Sequence, residues 1–335
     1  MDSISQIVLG AACGEAVLGK KIGNKALLWG AIGGTIPDMD VILSPFFDPV
    51  DALFVHRGFS HSLIFSFLVA PLLGWLLARI YRKADVSWKE WTQLFFWSLF
   101  THPLLDAMTG YGTGLFEPFS NYRVDVSSIF IVDPLYTLPF LFCLIGVMSA
   151  KNNLEKRKSR NRLGLIFSTG YLLFTFLNQQ FMQSGFRKEL EIKNISAERM
   201  MTVPTPFNTV LWGTVAEAGE GYYVGYRSWF DKQPTEFAFF PKNDSLITDI
   251  KNDESVQKLI RFSKGFYIIS QRDEKIFFND VRFAQAGGWT DLKADFVFSF
   301  EIVKNAEGSV EIKRGKWRSS RLSGLETLWE RIKGI

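Results

Sequence analysis

Residues 63–80 read LIFSFLVAPLLGWLLARI, an apolar run with no charge before Arg79. It approaches the ~20 residues that a helix needs to cross a hydrocarbon core. Nothing else in the chain constrains its folding as strongly, because a segment in lipid must satisfy its own backbone polar groups and a helix does so alone. With its leading serine the stretch is Ser62–Ile80, and three others approach the same length: Trp91–Leu105, Ile129–Ser149 and Leu163–Phe181. Two earlier segments, Ile4–Leu18 and Ala26–Ile36, are apolar, rich in small residues and short. Small residues let helices approach closely within a membrane, so these two read as either short spans or re-entrant helices of one bundle.

The basic residues follow the same division. Lys20, Lys21 and Lys25 lie between the two short helices, Arg79, Arg82, Lys83 and Lys89 between the first two long spans, and KNNLEKRKSRNR occupies Lys151–Arg162. The positive-inside rule puts these three turns in the cytoplasm. Pro37–Ser60, Thr109–Ser128 and everything after Phe181 then face outward. The net charge of +4 is too small to argue for nucleic acid. Only two cysteines occur, Cys13 and Cys143, which excludes both a CxxC metal knuckle and a disulfide scaffold. The first 18 residues lack a basic leader region and read as a retained helix.

The second half differs in kind. Residues 1–183 are dense in Leu, Phe, Ile, Gly and Trp, whereas 184–335 mix polar and apolar residues evenly. Val203–Thr214 is a short apolar run after Pro204 and Pro206, and Gly221–Ser228 and Glu236–Phe240 alternate as strands do. Gly265–Ser270, Lys275–Arg282, Asp295–Ile302 and Ser309–Lys313 also read as strands, with helices at Asp253–Ser263 and Leu322–Ile332. The expectation is an α-helical membrane bundle (1–183) followed by a soluble, extracytoplasmic α+β domain (184–335).

Chemistry concentrates at the outward ends of the expected spans. The chain has three histidines, His56, His61 and His102, and all three fall there. Asp38 and Asp40 are two apart after Pro37, so in an extended turn both carboxylates point the same way. His56-Arg57-Gly58-Phe59-Ser60-His61-Ser62 offers two imidazoles that a tight turn at Gly58 would bring together, with Ser60 as an N-cap for the helix that follows. His102 and Asp106 are i and i+4 on one helical face, and Asp133-Pro134 opens the third span. Imidazole nitrogen and carboxylate oxygen suit a borderline divalent cation, and such an ion would activate water at neutral pH. Ionisable groups beside an apolar bundle are costly and default to a functional reading.

Several neighbours stay open. Arg57 would clamp an anionic substrate or pair with Asp38 or Asp40. Arg123 and Asp125 would shape a substrate mouth or form a solvated ion pair. Glu15, in the apolar AACGEAVLG, is a partner of the site, a proton-handling group or a bundle hydrogen-bonder. The glycine- and aromatic-rich Thr109–Phe119 suits an access loop but lacks phosphate-loop spacing.

Taken together, these motifs resemble the membrane-bound metal-dependent hydrolase family. The resemblance is carried by Met1–Gln6, Gly10-Ala11-Ala12, Gly14-Glu15-Ala16, Gly34–Asp40, His56–Ser62, His102–Asp106 and Asp133-Pro134, and extends to Pro204–Trp212 and Tyr222–Tyr226. It implies a hydrolase of the inner membrane related in its His-x-x-x-Asp helix to zinc-dependent phosphoesterases. Proteins of this kind carry Thr-His near their start, where this chain has Ser5-Gln6.

The expected activity is hydrolysis of an ester or phosphoester of a lipid or lipid-linked substrate. Asp38, Asp40, His56, His61, His102 and Asp106 are the expected ligands of zinc or manganese, with Asp40, His61 and Asp106 as catalytic candidates. Arg57, Asp133, Glu15 and Gln6 are candidates for supporting the site or binding substrate. Membrane lipids are the expected surroundings, nucleic acid is not a partner, and the sequence does not fix an oligomeric state. The alternative is a non-catalytic protein that uses the cluster as a structural metal site or solute path, with the C-terminal domain as a binding module.

Overall fold

The computed structural model describes residues 1–151, 153–304, 309–315 and 323–335. The first half is helical. α1 (Ser3–Ile22) and α2 (Asn24–Thr35) form a hairpin, followed by a 3-10 segment at Pro37–Phe46, the short α3 (Asp51–Val55) and a 3-10 turn at Phe59–His61. α4 (Leu63–Ile80), α5 (Trp88–Ala107), α6 (Pro134–Ser149) and α7 (Leu154–Ile192) follow.

α1 and α2 meet along glycines. A Cβ on Gly10 would collide with the carbonyl oxygen of Gly30, one on Gly14 with that of Ala26, and one on Gly34 with that of Gln6. The two backbones therefore touch, as small residues permit. α4 is built with its large residues outward. It buries Ser66, Ala70, Gly74 and Leu77 while exposing Phe67, Leu68, Leu72, Trp75 and Leu76. A surface of that kind suits lipid or a partner rather than water.

Among the described residues, two segments, Asn24–Phe46 and Leu63–Ile80, are long and apolar enough to cross a membrane, and Pro134–Ser149 is apolar but shorter. The other expected spans are less uniform. α5 carries Lys89, Glu90, His102 and Asp106. α7 begins in the basic run and continues through Asn178, Gln179 and Gln180 for 39 residues, about 58 Å at 1.5 Å per residue.

The second half contains two four-stranded antiparallel sheets. β1 (Arg199–Pro204), β2 (Leu211–Ala218), β3 (Gly221–Ser228) and β4 (Phe237–Pro241) form one in sequence order. β5 (Tyr267–Arg272), β6 (Lys275–Gln285), β7 (Phe296–Lys304) and β8 (Val310–Arg314) form the other, with a register shift in β6 between Asp280 and Gln285. Their shared core includes Leu211, Val215, Tyr226, Ile268, Val281 and Phe296. α8 (Glu254–Phe262) lies between the sheets in sequence. α9 spans Ser323–Ile332; Leu322, where that helix was expected to begin, is outside the described residues.

The chain divides into two compact units, Met1–Phe46 with Val55–Phe176, and Phe47–Phe54 with Leu177–Ile335. In the second unit, Asp51 pairs with Lys258 at 2.7 Å and the Phe54 ring meets Phe262 edge-on at 5.9 Å. The C-terminal part of α7 packs there too, with Met182 and Phe186 against Trp212.

Candidate metal centre

Three stretches of the first unit bring four side chains together. The 3-10 segment after α2 supplies Asp38, the turn before α4 supplies His61, and the last turns of α5 supply His102 and Asp106. One donor atom from each of the four lies within 4.8 Å of the others. His61, His102 and Asp106 are buried, and Asp38 is partly exposed.

The tautomer of His102 is fixed by its neighbour. Its Nδ1 lies 2.6 Å from the carbonyl oxygen of Gly34, which can only accept, so Nδ1 carries the hydrogen and Nε2 the lone pair. His61 Nδ1 faces Ser60 Oγ at 3.0 Å and an Asp40 oxygen at 3.2 Å. The Ser60 hydroxyl donates to Asp40 at 2.7 Å and so can accept from His61. Both rings thus turn Nε2 inward, and the two Nε2 atoms are 3.1 Å apart. Two lone pairs at that distance repel unless a proton or a metal cation sits between them.

The donor spacing discriminates further. His61 Nε2 is 3.3 Å from Asp38 Oδ1 and 3.3 Å from Asp106 Oδ2. His102 Nε2 is 3.5 Å and 3.8 Å from the same two oxygens. Zinc bonds of about 2.0–2.1 Å place the corners of a tetrahedron about 3.3 Å apart. Asp106 Oδ2 is buried and makes no well-formed hydrogen bond, although Arg57 Nε is 3.0 Å away. A zinc-sized cation fits this donor set and would satisfy that oxygen. In its absence, burial opposes a charge on His61, but hydrogen bonds that its ring N–H groups donate to Asp106, Asp38 and Asp40 outweigh it and push the imidazole pKa up to about 10. A proton then occupies the place a cation would take.

The other sequence candidates surround this group. Asp38 and Asp40 do not point the same way, because their segment is a 3-10 helix and not an extended turn. At three residues per turn, positions i and i+2 diverge by about 120°. Asp40 turns to the other side, where it accepts from the Arg57 backbone N–H at 3.0 Å and faces His56 Nδ1 at 2.9 Å. His56, about one quarter exposed, is outside the four-donor group and lies edge-on to Tyr111 with ring centres 5.5 Å apart. The left-handed residue of the HRG turn is Arg57, with φ of 59°, and not Gly58. The N-cap of α4 is Ser62, which leaves Ser60 free to bind Asp40.

Arg57 is 4 % exposed, and its guanidinium pairs with Asp106 rather than with Asp38 or Asp40 and donates to Thr109 Oγ1 at 2.8 Å. Gln6 donates to Asp106 Oδ1 at 3.0 Å and to the His102 carbonyl at 3.1 Å. The same Oδ1 accepts from the Met1 α-amino group. Asp133 caps α6, accepting from the backbone of Leu135 and Tyr136 and from the Tyr171 hydroxyl, and does not join the donor group. Glu15 sits nine residues beyond Gln6 on α1, about 13 Å along the axis, where it pairs with Arg157.

Arg123 holds the site from the loop after α5. It is buried and donates to the His56 carbonyl at 3.1 Å, while the Gly114 N–H donates to the Arg57 carbonyl at 2.9 Å. Sequence reading gave Arg123 a substrate mouth or a solvated ion pair. The structure makes it a brace for the HRG turn. The Gly34 carbonyl had no sequence signal, since any residue supplies one.

A family model described as YdjM inner membrane protein matches residues 1–182. The Escherichia coli (strain K12) inner membrane protein YbcI is 39 % identical over 109 residues, which cover 32 % of this chain and 61 % of that protein. The match thus spans about three fifths of the relative's length. No solved structure matches the chain.

Proposed function

The chain belongs to the YdjM inner membrane protein family, and on that premise we propose that it is a metal-dependent hydrolase acting on an ester or phosphoester of a lipid or lipid-linked substrate. The observation that carries this reading is the opposed pair of His61 and His102 Nε2 atoms at 3.1 Å, flanked by Asp38 and Asp106 at spacings close to tetrahedral edges. Zinc suits that geometry best, and manganese would use the same donors.

Asp38, His61, His102 and Asp106 would hold the ion. When bound, it supplies Lewis-acid activation of water and of the bond to be cleaved. Asp40 orients two imidazoles at once, through Nδ1 of His61 and Nδ1 of His56. His56 has the arrangement of a general base held by a carboxylate, with its ring centre 6.0 Å from that of His61 and its side chain partly open to solvent. His56 would accept at Nε2 the proton that the attacking water gives up, and Asp40 on Nδ1 would stabilise the resulting charge. Arg57, buried against Asp106, fixes that carboxylate and does not reach out to substrate.

In this reading residues 1–183 are a multi-pass transmembrane domain and 184–335 an extracytoplasmic one. The outward-facing apolar residues of α4 support its place in lipid, and the three basic turns support that orientation. The site then opens at the outer face of the cytoplasmic membrane, beside lipids. A reporter fused after Ile335 is expected to be active only outside the cytoplasm.

The purified protein is expected to carry about one zinc or manganese per chain, measured by elemental analysis. His102→Ala should lose both the metal and the hydrolysis of a generic phosphodiester or lipid ester while remaining folded. A structural metal site is the second reading, favoured by Gln6 at the position where a histidine is expected. Metal retained without turnover in the wild-type protein would select it, and absence of bound metal would sink both readings.

A further inference from the structure

We propose that a groove between α1 and α7, remote from the His/Asp cluster, binds one anionic phospholipid. The groove has a volume of about 690 Å³ and a mostly apolar lining. Lys20 comes from the last turn of α1, and Lys158 and Arg162 come from the first turns of α7. Further along α7, Ile166 and Leu173 line the trough, each 59 % exposed. Positions 158, 162, 166, 170 and 173 share one helical face.

The charges at the mouth are available. Among the described residues, Lys20 and Arg162 make no ion pair, and Lys158 has only a 3.5 Å contact with the exposed Glu155. Glu15, the one carboxylate in the lining, is buried and neutralised by Arg157 at 2.9 Å, with Arg157 also donating to Asn24 at 2.6 Å. An incoming phosphate therefore meets three cations and no free anion. From Arg162 to Leu173 the trough runs about 16 Å along the helix, close to half the ~30 Å hydrocarbon core. That is the depth of one leaflet. A ligand with an anionic head and apolar chains one leaflet long matches both ends, and a free phosphate matches only one. Only a lipid surface is required, which the inner membrane family supplies, and the proposal stands independently of the metal centre.

Gly170 opens the trough, since a Cβ there would meet nothing within 4 Å. Gly170→Leu starts its side chain in that open space and extends it into the groove. The test is native mass spectrometry of the full chain in detergent with phosphatidylglycerol, phosphatidylcholine or inorganic phosphate. One phosphatidylglycerol should be retained in preference to phosphatidylcholine. The double variant Lys158→Gln/Arg162→Gln should lower that affinity about fivefold per charge, and Gly170→Leu should reduce retention of the lipid. Equal retention of the two lipids, insensitivity to Gly170→Leu, or full displacement by inorganic phosphate would each overturn the proposal. Circular dichroism and the thermal melt of each variant confirm that loss of lipid is not loss of fold.

Discussion

The Nε2 atoms of His61 and His102 lie 3.1 Å apart, and the Gly34 carbonyl on His102 Nδ1 forbids the tautomer that would relieve their opposition. Without metal, the pair is reconciled by a proton on His61, whose pKa is pushed up to about 10 by Asp106, Asp38 and Asp40 despite its burial. A cation must displace that proton. Below pH 10 apparent metal affinity should fall with falling pH, by about tenfold per unit for each proton released. Calorimetry in buffers of different ionisation enthalpy reads the proton directly. A pH-independent affinity between 6 and 8 would show that metal binding displaces no proton from His61.

Asp106 is the hub of the buried charges. It receives Arg57, Gln6 and the Met1 α-amino group as well as facing both imidazoles. Asp106→Asn keeps the shape but leaves the Arg57 guanidinium, 5 % exposed, without its anion. Removing one partner of a buried pair costs about 3–5 kcal/mol. This variant should therefore both lose metal and melt well below His102→Ala, which removes a ligand but no charge partner of Arg57. Thermal melts of the two metal-free variants in the same detergent make the comparison, and equal melting temperatures would refute it.

The parts of this arrangement that follow a single period could be read from the sequence. His102 and Asp106 share a face because α5 is a regular helix, and β3 spans the alternating run Gly221–Ser228. The parts set by local backbone choice differ from what the spacing suggests. Asp38 and Asp40 look equivalent until a 3-10 helix turns them apart, and the HRG turn places its left-handed residue at Arg57 although a glycine follows. Tertiary contacts left no local trace at all. Arg123 reaches His56 across 67 residues, and Glu15 finds Arg157 across 142. The charges of Arg123 and Glu15 are plain in the sequence, but the partner each reaches is not.

His56 separates catalysis from mere metal binding. It is outside the four-donor group yet shares Asp40 with His61. His56→Asn should retain the metal and its stoichiometry while turnover falls by about 100-fold or more, the usual loss for a general base. Loss of metal together with activity would place His56 among the ligands instead.

Gln6 offers the gain-of-function counterpart. Its amide nitrogen lies 3.0 Å from Asp106 Oδ1, while the four-donor group uses Oδ2 of the same carboxylate. An imidazole in place of the amide would set a nitrogen donor beside the second carboxylate oxygen, and Asp106 would then bridge two positions. Paired metals in hydrolytic sites sit about 3.5–4 Å apart, a separation one carboxylate can span. Gln6→His should therefore raise the metal content from about one to about two ions per chain and increase turnover, with the first ion's affinity little changed. Elemental analysis alongside hydrolysis of the same phosphodiester decides it. A variant that still holds one ion would mean that Oδ1, already engaged by the Met1 α-amino group, is closed to a second cation.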